Sequence, residues 1–361
     1  MRPSNNPAAL KKIVHLNFSL TSGGSENLLI DIANEQAQFA SVTIIIINNR
    51  YQENLLNRID REVRVHTLNR QEGNKRSILF LIRLWALLLR IQPTVIHCHH
   101  HALIRLLPGF RQKAVLTAHC LGIATAHLKK YKQVYSISGA VAQDIRQRCG
   151  IVAPVVPNGI HFIQVTQKQD YTIDRNRTVR IVQVGRLVHL IKGQDLLLQA
   201  LQQVVADKRY QHTTVEFIGT GPSQDYLEAM VHTLSLEGHV HFPGERSRHW
   251  IYQHLGSYDL LVQPSRSEGF GLTILEGIAA GLPVIASNHA GPREILQDMP
   301  GCYLFEPGDV AALSASIRNL IDHIRENDVQ SKCETSRTLA GRQYSIRNTA
   351  KEYLRHYAMD L

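Results

Sequence analysis

Two glutamates, Glu268 and Glu276, lie eight residues apart on either side of a glycine-rich turn in the C-terminal half of the chain. The turn reads Gly269-Phe270-Gly271-Leu272. Its glycines let the backbone approach a ligand closely, and the free N–H groups of a helix that starts there suit a phosphate. Carboxylates beside a phosphate are favourable where they accept hydrogen bonds from hydroxyl groups. A sugar nucleotide offers both phosphates and hydroxyls, but a glycine loop alone is weak evidence and by itself favours a plain strand-to-helix turn with two solvated glutamates.

The elements around this turn form a strand–helix–strand unit. Residues 260–262 are a short apolar run that predicts a buried strand. A helix is predicted from Leu272, because apolar residues repeat on one face, and it ends at Gly281 and Pro283. Residues 284–286 predict the next buried strand. This βαβ arrangement places the glycine turn at the carboxyl end of a strand, where open parallel sheets bind ligands.

A second loop offers two cations for the same ligand. Residues 179–184 predict the first strand of a new sheet, and Arg186 and Lys192 follow it before the next predicted helix. Arginine presents a rigid fork of donors and lysine a point charge, and both suit a diphosphate that gains negative charge as it leaves. Two surface cations on an ordinary strand-to-helix loop are the alternative. The two glutamates downstream favour the binding role.

The N-terminal half also places polar groups at strand ends. Gly23 and Gly24 follow a strand predicted over residues 13–17 and precede a predicted helix, which again builds an anion site. A cluster of histidines over residues 97–101 ends a later strand, and His119 ends the next one. Strand alternation points the clustered histidines to opposite faces of the sheet, so the sequence predicts no metal site there.

The C-terminal motif is similar to that of a known enzyme family. The run Glu-Gly-Phe-Gly-Leu-x-x-x-Glu, which starts at Glu268, and the later Ala-x-Gly-x-Pro-Val-Ile-Ala resemble the donor-site signature of retaining nucleotide-sugar glycosyltransferases, the group 1 and family 4 enzymes of the GT-B fold. The resemblance extends over nearly the whole chain. It implies an α/β fold of two doubly wound, Rossmann-like parallel sheets that face a central cleft. It also implies transfer of a hexose-type sugar from a UDP- or GDP-sugar to an acceptor with retention of configuration.

The site residues of that family match positions in this chain. The resemblance implies that Arg186 and Lys192 bind the donor diphosphate and that Glu276 accepts hydrogen bonds from the ribose. Glu268 is implied to contact a hydroxyl of the sugar and His119 to lie beside the transferred sugar, so both are candidate catalytic residues. Backbone contacts to phosphate or sugar are implied for the other donor-binding residues, which are Gly23, Gly24, Gly269, Phe270, Gly271 and Leu272. We expect neither a metal nor a cofactor.

Length and composition predict two domains. A chain of 361 residues can form two cores. The boundaries place an acceptor-side domain at residues 1–165, with a C-terminal helix at about 346–361 packed back on it. A donor-binding domain covers residues 178–345, and the polar stretch 164–178 is interpreted as the linker. The five cysteines are scattered without C-x-x-C spacing, and no run reaches membrane-spanning length, so we expect a cytoplasmic protein.

Positive charge is concentrated in the first half of the chain. Residues 1–165 carry 20 Lys and Arg against 8 Asp and Glu, whereas the remainder carries 20 against 22. Such a basic half predicts an anionic partner, for example the inner face of the cell membrane, and simple solubility is the alternative. The apolar helix predicted over residues 77–91 has arginines at positions 76, 83 and 90, which suits either a membrane interface or packing on the sheet.

Three functional classes fit these observations to different degrees. The resemblance favours a glycosyltransferase that acts on a glycan or lipid-linked acceptor in surface polysaccharide or lipopolysaccharide biosynthesis. The same fold also serves sugar-nucleotide epimerases and phosphorylases, and an epimerase would consume sugar nucleotide without an acceptor. The basic charge suggests a nucleic-acid-binding protein, but the sequence contains no recognition module and no aromatics interleaved with the basic residues, so we expect no nucleic acid partner.

Overall fold

The structure is a computed structural model. It describes residues 11–21, 23–71, 78–173, 177–326 and 329–359. The chain divides into two compact units, Met1–Gly159 with Ile346–Leu361 and Ile160–Ser345. Each unit contains one six-stranded sheet whose neighbouring strands all pair in parallel. The N-terminal segment and Arg76, the first of the three spaced arginines, lie outside the described residues.

The first unit is built around a sheet with the order β3-β2-β1-β4-β5-β6. Its strands are β1 (Lys12–Asn17), β2 (Ser41–Asn48), β3 (Arg64–Arg70), β4 (Val95–Cys98), β5 (Ala114–Ala118) and β6 (Gln133–Ser136). The helices between them are α1 (Gly24–Ala37), α2 (Glu53–Leu56), α3 (Leu79–Ile91) and α4 (Gly139–Cys149). Residues 44–47 of β2 are four consecutive, fully buried isoleucines, as expected for a parallel strand that is covered on both faces.

The second unit repeats the same topology with the order β12-β11-β10-β7-β8-β9. Its strands are β7 (Val179–Val184), β8 (Thr213–Ile218), β9 (Val240–Gly244), β10 (Leu260–Gln263), β11 (Val284–Ser287) and β12 (Cys302–Phe305). Its helices are α5 (His189–Lys192), α6 (Gln194–Val205), α7 (Gln224–Thr233), α8 (Arg248–His254), α9 (Leu272–Ala279), α10 (Ala290–Leu296), α11 (Val310–Arg325) and α12 (Gln330–Gln343). The predicted class of two doubly wound parallel sheets is therefore confirmed.

The last helix of the chain, α13 (Ile346–Met359), belongs to the first unit. Its Tyr353 and Tyr357 are fully buried in the same core as the strands β1 and β2. The phenol oxygen of Tyr353 lies 2.8 Å from Thr117 Oγ1, and that of Tyr357 lies 2.6 Å from His97 Nδ1. Hydrogen bonds and apolar burial thus fix this helix on the sheet of the first unit.

The strand order reverses at one point in each sheet. In the first sheet this point lies between β1 and β4, and in the second between β7 and β10. Loops that leave two such neighbours at their carboxyl ends diverge to opposite faces of the sheet and leave a crevice between them. The loops that contain Gly23, Lys192 and Glu268 all leave one of these four strands.

The stretch 164–178, which the sequence suggested as a linker, packs on the second unit through its described residues. Lys168 is buried, and its ammonium group donates to Asp259 Oδ1 at 2.9 Å and to the carbonyl oxygen of Tyr258 at 2.8 Å. The hydroxyl of Tyr171 donates to the carbonyl oxygen of Gly281 at 2.6 Å. Hydrogen bonds of two buried side chains therefore hold this segment on the second unit, although most of its described polar residues are exposed.

In the part of the chain that the structure describes, no helix is both long enough and apolar enough to span a membrane. The apolar helix α3 has only 13 residues. Its inner face packs on the sheet through Phe80, Leu84 and Leu88, which are buried.

Candidate active site

Two loops meet at the carboxyl edge of the second sheet, at the point where its strand order reverses. The loop after β7 contains Arg186 and leads to Lys192 at the end of α5, and the loop after β10 contains Glu268. The ammonium group of Lys192 donates to Glu268 Oε2 at 2.7 Å. Both side chains are partly exposed, at 26% and 15%. Two residues with separately predicted roles are thus brought into direct contact.

The backbones of these two loops are locked together. Gly193 has a left-handed conformation with φ of 67°, and a Cβ there would overlap the carbonyl oxygen of Pro264. The N–H of Arg266 donates to the carbonyl oxygen of Ile191 at 2.8 Å. The guanidinium of Arg266 donates two hydrogen bonds to the carboxylate of Asp195, at 2.6 and 2.7 Å. Such a bidentate pair fixes both position and orientation, so the Lys192–Glu268 contact has a rigid support.

Arg186 is held by its main chain, and the residue is exposed. Its carbonyl oxygen accepts a hydrogen bond from Gln194 Nε2 at 3.1 Å. The loop also packs tightly against the backbone at Gly219, where an added Cβ would overlap the carbonyl oxygen of Gly185. Among the described residues, no carboxylate forms an ion pair with its guanidinium. Its positive charge is therefore available to an anionic ligand.

The glycine turn forms an open helix N-terminus. Gly271 has φ of 116° and directly precedes α9. The N–H groups of Ile274 and Leu275 donate to the carbonyl oxygen of Gly271, which leaves the two preceding N–H groups of α9 without an acceptor inside the helix. These groups suit a phosphate oxygen. Phe270 is buried and lies edge-on against the ring of Tyr344, with ring centroids 5.8 Å apart, so its backbone is what it can offer to a ligand.

Glu276 lies one turn into α9 and is 8% exposed. Its Oε1 is 3.8 Å from Nε of Arg248, which is an ion-pair distance but longer than a hydrogen bond. Arg248 begins α8, and the side chain of Ser247 caps that helix by accepting from the N–H of Trp250 at 3.2 Å. Glu276 is thus a largely buried carboxylate with a cation nearby, a position that suits a hydrogen bond from a ligand hydroxyl.

Gly23 and Gly24 begin α1 at the carboxyl edge of the first sheet. Gly23 is extended, and its carbonyl oxygen accepts from the backbone N–H and the side-chain amide of Asn27, at 3.2 and 2.8 Å. Glu26 occupies the first turn and accepts a hydrogen bond from Ser25 Oγ at 2.7 Å. A Cβ on Gly23 would overlap the carboxylate of Glu26. The glycine therefore allows this acidic group to fold over the helix start.

Four histidines gather at the reversal point of the first sheet. His99 Nδ1 lies 3.2 Å from His119 Nε2, and His99 Nε2 lies 3.0 Å from His15 Nδ1. His15 Nε2 lies 2.8 Å from Gln36 Oε1. His97 stacks on His99 with ring centroids 4.4 Å apart. The expectation that alternation separates the clustered histidines is wrong for this pair, since His97 and His99 are two residues apart and share a face.

The histidine cluster is neutral and hydrogen-bonded. Burial lowers the pKa of His15 and of His119 to about 4, and it lowers the pKa values of His97 and His99 well below the usual 6.5. Nitrogen atoms of His15, His97 and His99 lie within 4.8 Å of one another, which is close enough for a shared metal ion. The rings of His97 and His99 are nearly parallel, however, at 27°. Lone pairs lie in the ring planes, so these two do not point at a common centre.

Family models match both halves of the chain. Residues 166–332 match the model described as glycosyl transferases group 1, and residues 22–162 match glycosyltransferase family 4. The chain belongs to the glycosyltransferases of the GT-B fold. The resemblance inferred from the sequence motifs is thereby confirmed as to family, and the two matches together leave only the ends and a short connection uncovered.

Individual relatives of this glycosyltransferase match parts of it. Protein CapJ of Staphylococcus aureus is 28% identical over 193 residues, which is 53% of this chain and 46% of CapJ. The lipopolysaccharide core biosynthesis glycosyltransferase LpsD of Rhizobium meliloti is 32% identical over 160 residues, 44% of each chain. The chain thus spans less than half the length of either curated relative. The crystal structure of Anabaena HepE with UDP and glucose superposes with a TM-score of 0.80 at 21% identity, over 97% of this chain and all of that one.

Sequence reasoning missed several residues that support the glycosyltransferase site. Arg248 and the Arg266–Asp195 pair come from α8, the β10 loop and α6, and no local motif marks them. His15 was missed as well, because its position opposite His97 depends on the pairing of β1 with β4, which the sequence does not show.

Gly291 in α10 is a further supporting residue, and it leads to a prediction. A Cβ at Gly291 would lie 2.7 Å from the carbonyl oxygen of Glu268 and 2.8 Å from the carbonyl carbon of Gly269, where only backbone could move aside. We expect Gly291→Ala to displace the Glu268 loop and lower the rate of sugar transfer by about 10- to 100-fold, since small misplacements have effects of this size. Steady-state kinetics measure it. Gly238→Ala is the matched control, because a Cβ there meets open space. Equal activities of the two variants would contradict the prediction.

Proposed function

We propose that this glycosyltransferase transfers a hexose-type sugar from a UDP- or GDP-sugar to a glycan or lipid-linked acceptor, with retention of anomeric configuration and without a metal. The observation that carries the proposal is the Lys192–Glu268 contact between the two loops at the reversal point, next to the open N-terminus of α9. Cation, carboxylate and free N–H groups suit a ligand that has both phosphates and hydroxyls. The UDP and glucose in the structure of HepE, which has the same fold, support this choice of donor.

Different residues of the second unit bind different parts of the nucleotide sugar. Arg186 and Lys192 neutralise the diphosphate, whose negative charge grows as the glycosidic bond breaks, and such preorganised charge is a large term in catalysis. The start of α9 donates to phosphate, and the buried carboxylate of Glu276 accepts from the ribose hydroxyls. Glu268 accepts from a hydroxyl of the sugar, a geometry that its contact with Lys192 fixes.

The residues of the first unit serve the transferred sugar. Gly23 and Gly24 donate backbone hydrogen bonds to phosphate or sugar, and His119 lies beside the sugar. No side chain is assigned as a covalent nucleophile, because retention by attack on the same face needs none and the leaving phosphate can accept the proton of the acceptor hydroxyl. The similarity to LpsD supports a place in lipopolysaccharide or surface polysaccharide biosynthesis.

Product analysis tests this proposal. The protein is incubated with UDP- and GDP-sugars and a mixture of lipid-linked and soluble glycan acceptors, with a metal chelator present. NMR of the purified product reads the configuration of the new linkage from its anomeric coupling. We expect the new linkage in the product to have the same anomeric configuration as the sugar in the donor. An inverted linkage would overturn retention, and sugar nucleotide consumed with no glycoside formed would point to an epimerase or a hydrolase.

We also propose that the first unit contacts an anionic membrane surface through the outer face of α3. Ile82 and Leu89 on this face are 59% and 66% exposed, and Ile78 and Leu79 are more than half exposed. The side chain of Trp85 lies on the same face, and its Nε1 donates to the carbonyl oxygen of Leu106 at 2.8 Å. An apolar stripe flanked by cations is the pattern of a helix that lies in a membrane interface.

The membrane proposal predicts a loss of vesicle binding when the stripe is charged. We expect the wild-type protein to sediment with vesicles of phosphatidylcholine and phosphatidylglycerol, and less so at high salt. The double variant Ile82→Glu/Leu89→Glu should reduce the bound fraction by about 10-fold or more, because two apolar side chains no longer enter the interface. Ile163→Glu is the matched control, since Ile163 is 97% exposed in the second unit. Equal binding of all three proteins would contradict the proposal.

A further inference from the structure

Three histidines and a glutamine form one unbroken chain of hydrogen bonds in the first unit. The chain runs from His119, which is partly exposed at the end of β5, through His99 and His15 to Gln36 on α1. His99 and His15 use both ring nitrogens in the chain. His119 uses only Nε2, and no described group hydrogen-bonds its Nδ1. The chain therefore connects a buried anchor to one available nitrogen at the carboxyl edge of the sheet.

The donor and acceptor roles along this chain of hydrogen bonds follow from Gln36, the residue at its buried end. Each ring is neutral at pH 7 because burial lowers its pKa, and a neutral imidazole has one N–H and one lone pair. The carbonyl oxygen of Gln36 can only accept, so His15 donates from Nε2 and accepts at Nδ1. His99 must then donate from Nε2 and accept at Nδ1. It follows that His119 donates from Nε2 and has its lone pair on Nδ1.

We propose that Gln36, His15 and His99 are positioning residues that hold His119 in the Nε2–H form, so that its Nδ1 is a fixed acceptor for a hydroxyl group of the transferred sugar. This proposal rests on the proposed function for its sugar, whereas the tautomer stands on the geometry of the first unit. A free histidine side chain rotates and exchanges tautomers. When the fold fixes both the rotation and the tautomer in advance, no free energy is needed to order the side chain during the reaction, which is the benefit of a preorganised acceptor.

Nitrogen NMR tests the tautomer directly. Long-range proton–nitrogen spectra of the full-length protein labelled with 15N-histidine show which ring nitrogen carries the proton, and the His119 signals are those lost in His119→Gln. We expect Nε2 of His119 to be protonated and Nδ1 to be bare. His99→Phe retains a ring in the stack but removes the acceptor, so His119 should become a mixture of tautomers. Gln36→Met removes the anchor and is the second variant should His99→Phe fail to fold.

Thr117→Val is the matched control for these variants. Thr117 is equally buried in the same cluster, and its hydroxyl lies 2.7 Å from Nε2 of His97, outside the chain. Its loss should leave the His119 signals unchanged. A wild-type His119 protonated on Nδ1 would overturn the proposal, because the chain would then run in the other direction. Signals that show metal coordination of His15 or His99 would overturn it as well.

Kinetics test the consequence for catalysis. We expect His99→Phe and Gln36→Met to lower kcat by about 10-fold, the worth of one neutral hydrogen bond, with the KM for the sugar nucleotide changed less than about 2-fold. Thr117→Val should stay within about 2-fold of the wild type. An unchanged kcat in variants whose His119 tautomer is mixed would overturn the positioning role. A wild-type protein without transferase activity would defeat the proposed function, while the NMR result would still decide the tautomer.

Discussion

Lys192→Ala and Arg186→Ala should each lower kcat/KM for the nucleotide sugar by about 100-fold or more. A donor aimed at charge that develops in the transition state is worth about 2.7–4 kcal/mol. Both cations lie at the reversal point of the second sheet, where we propose that the diphosphate binds. Steady-state kinetics measure the loss. Lys208→Ala, which removes an exposed cation of the same unit, is the control and should be indistinguishable from the wild type. Full activity of either site variant would contradict the assignment.

The two cations should also differ in a specific way. Loss of Lys192 leaves the carboxylate of Glu268 without its partner at 2.7 Å, next to the proposed phosphate site. Loss of Arg186 leaves no carboxylate without an ion-pair partner among the described residues. Residues in contact do not act independently, so Lys192→Ala/Glu268→Gln should bind the donor better than Lys192→Ala alone. A donor affinity that falls further in the double variant would show that the ion pair is incidental.

Asp259→Ala should destabilise the second unit by about 3–5 kcal/mol, since removal of one partner leaves a buried ammonium group uncompensated. Asp259 is fully buried and accepts from Lys168 Nζ at 2.9 Å, from Arg177 at 3.1 Å and from the N–H of Arg180 at 2.9 Å. These bonds tie the segment after Ile160 to the start of the sheet. Urea unfolding followed by circular dichroism measures the free energy of unfolding.

Two further variants separate the buried charge from a general loss of packing. Lys168→Met/Asp259→Ala removes both charges and should recover part of the stability lost in Asp259→Ala, because no ammonium group is left buried. Asp207→Ala breaks an exposed ion pair with Arg209 and should change the unfolding midpoint little. A double variant as unstable as Asp259→Ala would contradict this account of the pair.

Most of the fold could be predicted from the sequence because parallel strands are short apolar runs. The four isoleucines of β2 and the run at β10 are unmistakable, and glycines mark the loops that follow β1 and β10. The edge strand β12 and the helix α12 were missed. Half-buried residues line β12, and few apolar residues repeat in α12, so neither has the periodicity by which elements are recognised.

The candidate site could be predicted only as far as its motifs reach. Glu268 and Lys192 were each marked by local patterns, but their 2.7 Å contact depends on the adjacency of β7 and β10, which lies in the topology. The Arg248–Glu276 pair and the histidine chain likewise join residues far apart in sequence. Buried polar groups need partners, yet the sequence does not say which partners the fold will supply.

Binding of nucleotide sugars to the purified protein tests whether the second unit contains the donor site. Melting temperatures are measured for the wild type, Arg186→Ala and Lys208→Ala against UDP, GDP, ADP and CMP sugars, with and without magnesium. A ligand of the native state raises the melting temperature by mass action. We expect a shift with a UDP- or GDP-sugar that needs no magnesium, persists in Lys208→Ala and is lost in Arg186→Ala. No shift of the wild type with any nucleotide sugar, or an equal shift in Arg186→Ala, would contradict the donor site described here.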